Sequence, residues 1–371
     1  MVRLYIKKLR NDSQIDIINA CTNYLIYDMK KSINEGCGEM SNGSILLKNI
    51  TVKEFIFENR YACAPFDIAM ATEDGLITEE LLSIYEKRTG PSLIVVEQAA
   101  VARAGQYREK LIYVDRDECI EGLAKLADII HKNNQVGIVQ INHAGSAANV
   151  QLTGMEAVAP SAVINPAFKR TLPKALTIEE IQQIKEDFVK AALRVKKAGF
   201  DGVEIHNCHG FLLTQFLSPI TNLRTDEYGG TLENRSRLLL EITTEVRKVI
   251  GDELLLVVRL GLDDLIPGGL TLEEGCQVAE KLVEAGIDIL DTSSGMLPPL
   301  VLKGPAMLRD MIKTVKSRVT VPVIGAGDLE DIEIAADMVE KGEVDFIALG
   351  RPILKQPNFV EGLLEKIKSE V

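Results

Sequence analysis

Eight short, β-rich apolar runs recur along the chain, separated for the most part by stretches with helical periodicity and charged faces. The runs are 60–64 (RYACA), 93–96 (LIVV), 136–140 (VGIVQ), 202–206 (GVEIH), 255–259 (LLVVR), 287–292 (IDILDT), 321–325 (VPVIG) and 346–349 (FIAL). Strand and helix alternating in this way is the pattern of parallel βα units. Residues 177–197 place apolar side chains at three- and four-residue steps, with Thr177 as cap, Glu in the first turn and Ala198-Gly199 as stop. Similar patterns span 119–132, 232–249, 272–285 and 332–341. Eight such units predict an α/β fold, a closed (β/α)8 TIM barrel. An open doubly wound sheet fits less well, because the first βα connection lacks the G-x-G-x-x-G turn of a dinucleotide fold.

A length of 371 residues alone would admit two domains. The strand count instead predicts one barrel over 46–371 and an N-terminal extension over 1–45, with a helix at 13–31 and a Gly/Ser/Asn-rich linker after it. A long insertion, 145–174, follows the third strand, at the barrel mouth where loops build sites. The formal net charge of −12 argues against nucleic acid or an anionic membrane as partner, since phosphate binding needs a dense basic face. No apolar run reaches the ~18–20 residues of a membrane span, and charge interrupts the N-terminus before a signal-peptide core could form. A cytoplasmic protein with a small-molecule substrate is expected. The six cysteines are scattered without a C-x-x-C pair, so buried, reduced thiols are expected.

Chemistry in such barrels gathers at the C-terminal strand ends. The fourth strand finishes in His206-Asn207-Cys208-His209-Gly210-Phe211, bringing together two of only four histidines. Two imidazole N–H donors converging on one oxygen would polarise an α,β-unsaturated carbonyl. Satisfied structural histidines are the plainer alternative. A metal site would need a third ligand; His143 ends strand three, but no carboxylate or cysteine pattern accompanies it, so no metal is expected. Strand five ends in Arg259, which needs an electron-rich or anionic partner such as a flavin N1/C2=O edge, and Gln140 ends strand three with an amide suited to a pyrimidine-like ring. Strands seven and eight end in Gly325-Ala326-Gly327-Asp328 and Leu349-Gly350-Arg351-Pro352, where glycine backbone and a guanidinium can clasp a phosphate.

These residues resemble the old yellow enzyme family of NADH:flavin oxidoreductases and ene-reductases. The segment 198–237, AGFDGVEIHNCHGFLLTQFLSPITNLRTDEYGGTLENRSR, is similar to the family signature almost throughout; ENRYACAPFDIAM, VVEQAAV, VQINHAG, Arg259 and the two terminal loops match more weakly. The resemblance implies a non-covalent FMN across the barrel mouth, reduced by NADH or NADPH and reoxidised by an activated alkene, a quinone-like acceptor or oxygen. It implies that His206 and His209 hold the substrate's activating oxygen, that Gln140 and Arg259 bind the isoalloxazine edge, and that Ala64, Pro65, Phe66 and Asp67 line the ring with Gln98 close by. Gly327, Gly350 and Arg351 would take the phosphate, while Phe211 and Ala69 stand at substrate-contacting positions.

Several positions depart from the pattern. Most members carry a proton-donating tyrosine where this chain has Phe211, and one branch carries a cysteine and a tyrosine where it has Asp67 and Ala69. A carboxylate at Asp67 would oppose electron gain by a flavin unless protonated or paired; a raised pKa would instead make it the displaced general acid, with Cys208 or solvent as alternatives. A flavoprotein with weak alkene reduction, acting mainly as NADH oxidase or flavin-binding protein, is the second reading. A metal-dependent hydrolase using His143, His206 and His209 is a third. The chain stops at Val371 in a charged helical pattern, so the iron–sulfur and second nucleotide-binding domains of long members are expected to be absent. No arginine-aromatic tail follows, which leaves the oligomeric state open, a homo-oligomer included.

Overall fold

The computed structural model describes residues 43–370, which fall within the unit Asn42–Val371; the helix expected over 13–31 lies outside the described residues. All eight expected strands form: β1 (Tyr61–Cys63), β2 (Leu93–Ala100), β3 (Val136–Asn142), β4 (Gly202–Asn207), β5 (Leu255–Gly261), β6 (Ile289–Ser293), β7 (Val323–Gly325) and β8 (Phe346–Leu349). Neighbours pair in parallel from β1 through β8, and β8 returns to β1 to close the barrel. The strands β2 to β5 run past their expected ends because backbone pairing carries polar residues such as Asn142 and Asn207 into the ladder.

One principal helix follows each strand: α1 (Glu79–Glu86), α2 (Ile120–Lys132), α3 (Ile178–Lys197), α4 (Leu232–Ile250), α5 (Leu272–Glu284), α6 (Arg309–Lys316), α7 (Ile332–Glu340) and α8 (Phe359–Glu370). Local chemistry sets their starts. Thr177 and Thr271 form reciprocal capping boxes with Glu180 and Glu274, satisfying two orphan donors at each helix start. The expected start at Cys119 becomes a short 3-10 turn, Asp117–Cys119, before α2.

Strand periodicity of two sorts the lumen into layers. At the bottom, Ala62, Leu93, Val95, Ile138, Leu255, Val257, Ile289, Ile324 and Phe346 form an apolar plug. A hairpin of Ile50–Val52 with Phe55–Phe57 belongs to this core, with Phe57 edge-on to Phe346 at 4.9 Å. Two residues further along the same strands come Gln140, Glu204, Arg259 and Asp291, and then Asn142, His206 and Ser293 at the mouth. The insertion after β3 folds into a short helix, Val150–Thr153, and a two-stranded ribbon of Val158–Ala159 with Lys174–Ala175. Cys63, Cys119, Cys208 and Cys276 are free and buried, as the cysteine spacing predicts.

Candidate active site

The mouth is built around the turn after β4. Pairing with β5 sets Arg259 beside His206, and pairing of β5 with β6 sets Arg259 beside Asp291. His209 adopts φ +59°, the left-handed region that favours glycine. Its N–H reaches Ser294 O at 3.4 Å, Gly210 N–H reaches Gly295 O at 3.1 Å, and the ring Nε2 lies 2.7 Å from Ser293 Oγ. Both imidazoles are held neutral. Burial lowers His206 well below the usual range, helped by the charge of His209 and Arg259, and lowers His209 to about 3, with Arg259 adding.

The two rings converge, but on a thiol. Cys208 Sγ lies 3.0 Å from His206 Nε2 and 3.4 Å from His209 Nδ1, and burial pushes that thiol far up. His206, Cys208 and His209 offer ligand atoms within 4.8 Å of one another, so the structure sets a sulfur beside the two histidines where the sequence reading looked to His143 for a third ligand. The spacing H-N-C-H carries this signal in the sequence. His143 does not join them; it accepts from Gly145 N at 3.0 Å, packs under Gly105, and burial lowers it to about 4.

Beneath the histidines lies a buried polar layer that strand-end reading misses. Gln140 Nε2 donates to Glu204 Oε1 at 2.7 Å, and Arg259 Nε stands 3.2 Å from Asp291 Oδ2. Burial raises Glu204 well above the usual carboxylate range and Asp291 in the same direction, each further affected by charge across the layer. Among the described residues Arg259 makes no hydrogen bond, although it is only 6% exposed. Glu204 and Asp291 were detectable, because they share the strand parity of Gln140 and Arg259.

The loop after β1 carries Pro65 to Ala69. Glu97, within β2, accepts from Ile68 N at 2.9 Å and Ala69 N at 3.4 Å, fixing the loop; Ala69 itself sits at φ +58°. Asp67 is brought to Gln98 Nε2 at 3.2 Å, to Arg108 at 4.0 Å and to the hydroxyl of Tyr107. Burial raises the Asp67 carboxyl, opposed by Tyr107, Arg108 and Gln98. Tyr107, which no motif marked, stands in an aromatic wall: its ring is 5.1 Å from Phe211, and Phe211 is 5.1 Å from His206. Phe168, from the insertion, closes over both.

Opposite, Gly327 at φ +116° and Asp328 lie in the loop after β7, and the Arg351 guanidinium after β8 pairs with Asp328, tying the two loops. A Cβ on Gly350 would point at Ala64 and Phe66. Beside them opens a cleft of about 560 Å³ lined by Gly304, Asp328, Glu330, Arg351 and Lys355. The rest of the 198–237 segment is scaffold. Asn222 Nδ2 binds Phe216 O and Tyr228 O, and Arg235 reaches Leu217 O, Gly230 O and Glu274.

The profile of the NADH:flavin oxidoreductase / NADH oxidase family matches residues 45–370. The chain belongs to that family. It is 34% identical over 330 residues to the NADH oxidase of Thermoanaerobacter brockii, covering 86% of this chain and 50% of that protein. It is 36% identical over 319 residues to the NADPH dehydrogenase of Bacillus cytotoxicus, covering 85% and 90%. Its fold matches the old yellow enzyme homologue of Zymomonas mobilis with a TM-score of 0.77 at 28% identity, over 86% and 92% of the two chains. The chain thus spans about half the length of the Thermoanaerobacter relative and about nine-tenths of the other two. Membership gives it FMN and NADH or NADPH as cofactors. The mouth fits FMN: Arg259 is buried and paired only with Asp291, making no hydrogen bond among the described residues, the Gln140 carbonyl oxygen is likewise without a hydrogen bond among them, and the loops expected at the phosphate end are tied by Arg351 and Asp328.

Proposed function

We propose that the chain is an FMN-dependent oxidoreductase that takes hydride from NADH or NADPH and passes it to an activated alkene, a quinone-like acceptor or oxygen. The observation that carries this reading is the pair of neutral imidazoles, His206 and His209, set beside the buried Arg259 guanidinium, which pairs with Asp291 but makes no hydrogen bond among the described residues. Bound FMN supplies reversible two-electron, hydride-level chemistry at the mouth. Arg259 and Gln140 bind its pyrimidine edge, Arg259 with fixed positive charge. Ala64, Pro65, Phe66 and Asp67, with Gln98, flank the ring; Gly327, Gly350 and Arg351 take the phosphate. His206 and His209 donate N–H bonds to the carbonyl or phenol oxygen of the acceptor, sharing them with or displacing the Cys208 sulfur. Neutral imidazoles suit a neutral carbonyl, since a hydrogen bond strengthens as charge develops on that oxygen. Phe211 and Ala69 border the acceptor.

Small soluble substrates in the cytoplasm fit the charge of −12 and the absence, among the described residues, of any helix long and apolar enough to cross a membrane. The test is the absorption spectrum of the purified protein and its bleaching by NADH without oxygen. In His206→Ala and His209→Ala, phenol binding and acceptor reduction should weaken while FMN stays bound. Unchanged kinetics in both would overturn the assignment.

A further inference from the structure

The turn after β4 gathers three metal-ligating side chains, His206, Cys208 and His209, and their ligand atoms all lie within 4.8 Å of one another. Holding a substrate oxygen occupies the two histidines and gives the sulfur between them no task. Cys208 Sγ stands 3.0 Å from His206 Nε2 and 3.4 Å from His209 Nδ1. A sulfur and a nitrogen bound to one tetrahedral zinc, at about 2.3 Å and about 2.0 Å from it, stand roughly 3.5 Å apart. The sulfur–nitrogen spacings are therefore already close to those of a chelate. The two nitrogens are no more than 4.8 Å apart, and small ring rotations close that gap.

We propose that His206, Cys208 and His209 form a site for one thiophilic divalent cation such as Zn²⁺, and that this ion competes with the acceptor's oxygen for the imidazoles. The competition rests on the functional reading above; the binding of the ion does not. Three further observations support the site. His209 Nε2 lies 2.7 Å from Ser293 Oγ, and donating its hydrogen there turns the Nδ1 lone pair on the sulfur side. His206 Nδ1 has no hydrogen-bond partner among the described residues, so no bond on that side of the ring fixes the hydrogen on Nε2. The ligands also stand on fixed backbone: His206 pairs with Arg259 in the β4–β5 ladder, and the turn is pinned by His209 N–H to Ser294 O and Gly210 N–H to Gly295 O. Little ordering is left to oppose binding. Finally, His206 and Cys208 are buried while His209 is partly exposed, which gives the ion an entry from the mouth.

Binding exchanges a proton for the ion. The Cys208 S–H bond breaks, the sulfur bonds to the metal, the proton leaves to water, and nothing is oxidised or reduced. Three protein ligands leave a fourth position for water. An imidazole nitrogen that gives its lone pair to a metal carries no hydrogen to donate. With Nε2 committed to Ser293, His209 has only Nδ1 left, so it cannot hold the ion and the acceptor's oxygen together. Occupancy therefore stops acceptor reduction and leaves the groups assigned to FMN untouched.

The experiment uses flavin-loaded enzyme stripped of metal with a chelator, then titrated with Cd²⁺ or Zn²⁺. Cd²⁺ should produce the ultraviolet thiolate-to-metal charge-transfer band, saturating at one ion per chain. The band should be absent in Cys208→Ala and in Cys208→Ser, which keeps the size of the side chain, and Zn²⁺ affinity should fall at least about 100-fold in both, more than the usual loss of an outer-shell partner. In wild type, Zn²⁺ at ten times its Kd should weaken phenol binding about 10-fold, by mass action. It should slow reoxidation of NADH-reduced enzyme by cyclohexenone to a similar degree, and chelator should reverse both effects. The ratio of rates with and without Zn²⁺ should return close to unity in the Cys208 variants, whatever their own rates. No band in wild type, or a band that persists in both variants, overturns the site. Phenol binding undisturbed with the site filled overturns the competition. A chain that binds Cd²⁺ through Cys208 but holds no FMN, or reduces no acceptor when free of metal, supports the site and overturns the functional reading instead.

Discussion

Glu97→Gln tests the electrostatics that hold the loop after β1. Glu97 is fully buried; one carboxyl oxygen accepts the Ile68 and Ala69 amides, and the other has no partner. Burial, then the charge of Asp67, raises its pKa from 4.5 to about 7, with the two amides and Arg88 opposing. The folded chain therefore binds this proton more tightly than the unfolded chain. Stability from this group is full below about pH 4.5, falls as the pH rises toward 7, and is flat above. A shift from 4.5 to about 7 at 1.36 kcal/mol per unit is about 3 kcal/mol. Glutamine keeps the acceptor oxygen and stays neutral, mimicking the protonated acid at every pH. Urea unfolding should then find the variant more stable than wild type by about 3 kcal/mol at pH 8 and by less than about 1 kcal/mol at pH 5. A difference that is the same at both pH values, or a variant less stable at pH 8, would refute the reasoning.

Other expectations concern the acid limb, the phosphate end and the barrel wall. His143, lowered to about 4 by burial, favours the neutral form in the fold, so about 3 kcal/mol of stability should be lost as the pH falls from about 6.5 to about 4. His143→Gln should flatten the acid side of a plot of Tm against pH. Arg351→Ala should weaken FMN about 10- to 100-fold while leaving riboflavin unchanged, the loss of one charge-assisted clasp on phosphate, as read by flavin fluorescence titration. An equal loss for both flavins would place Arg351 elsewhere. A Cβ on Gly275 would sit 2.1 Å from the Leu262 carbonyl oxygen. Gly275→Ala should therefore cost about 1–3 kcal/mol in denaturant unfolding.

The barrel was legible because each unit writes its own signal. Strand runs such as LIVV are apolar on both faces, and helices such as 177–197 carry cap, period and stop in adjacent residues. His206, His209, Gln140, Arg259, Gly327, Gly350 and Arg351 were legible because strand ends in a barrel share one rim. Glu204 and Asp291 were within reach, since a period of two puts them in the lumen one step below His206 and Ser293. Tyr107 was not: it lies past β2 in a stretch without periodicity, and nothing local links it to Phe211 or Asp67.

The sequence by itself determined the closed eight-stranded barrel, the rim on which chemistry gathers and the absence of a hydroxyl at Phe211. Those properties follow from short-range patterning and from residue identity. Only the tertiary structure decided what occupies the space between the histidines, which carboxyls are buried together, and which phenol stands near Phe211. These depend on strand register and loop packing between residues far apart in the chain, and burial then sets their protonation. Arg259 meets Asp291 through the β5–β6 register, and Asp67 meets Tyr107 because two loops fold against each other at the mouth.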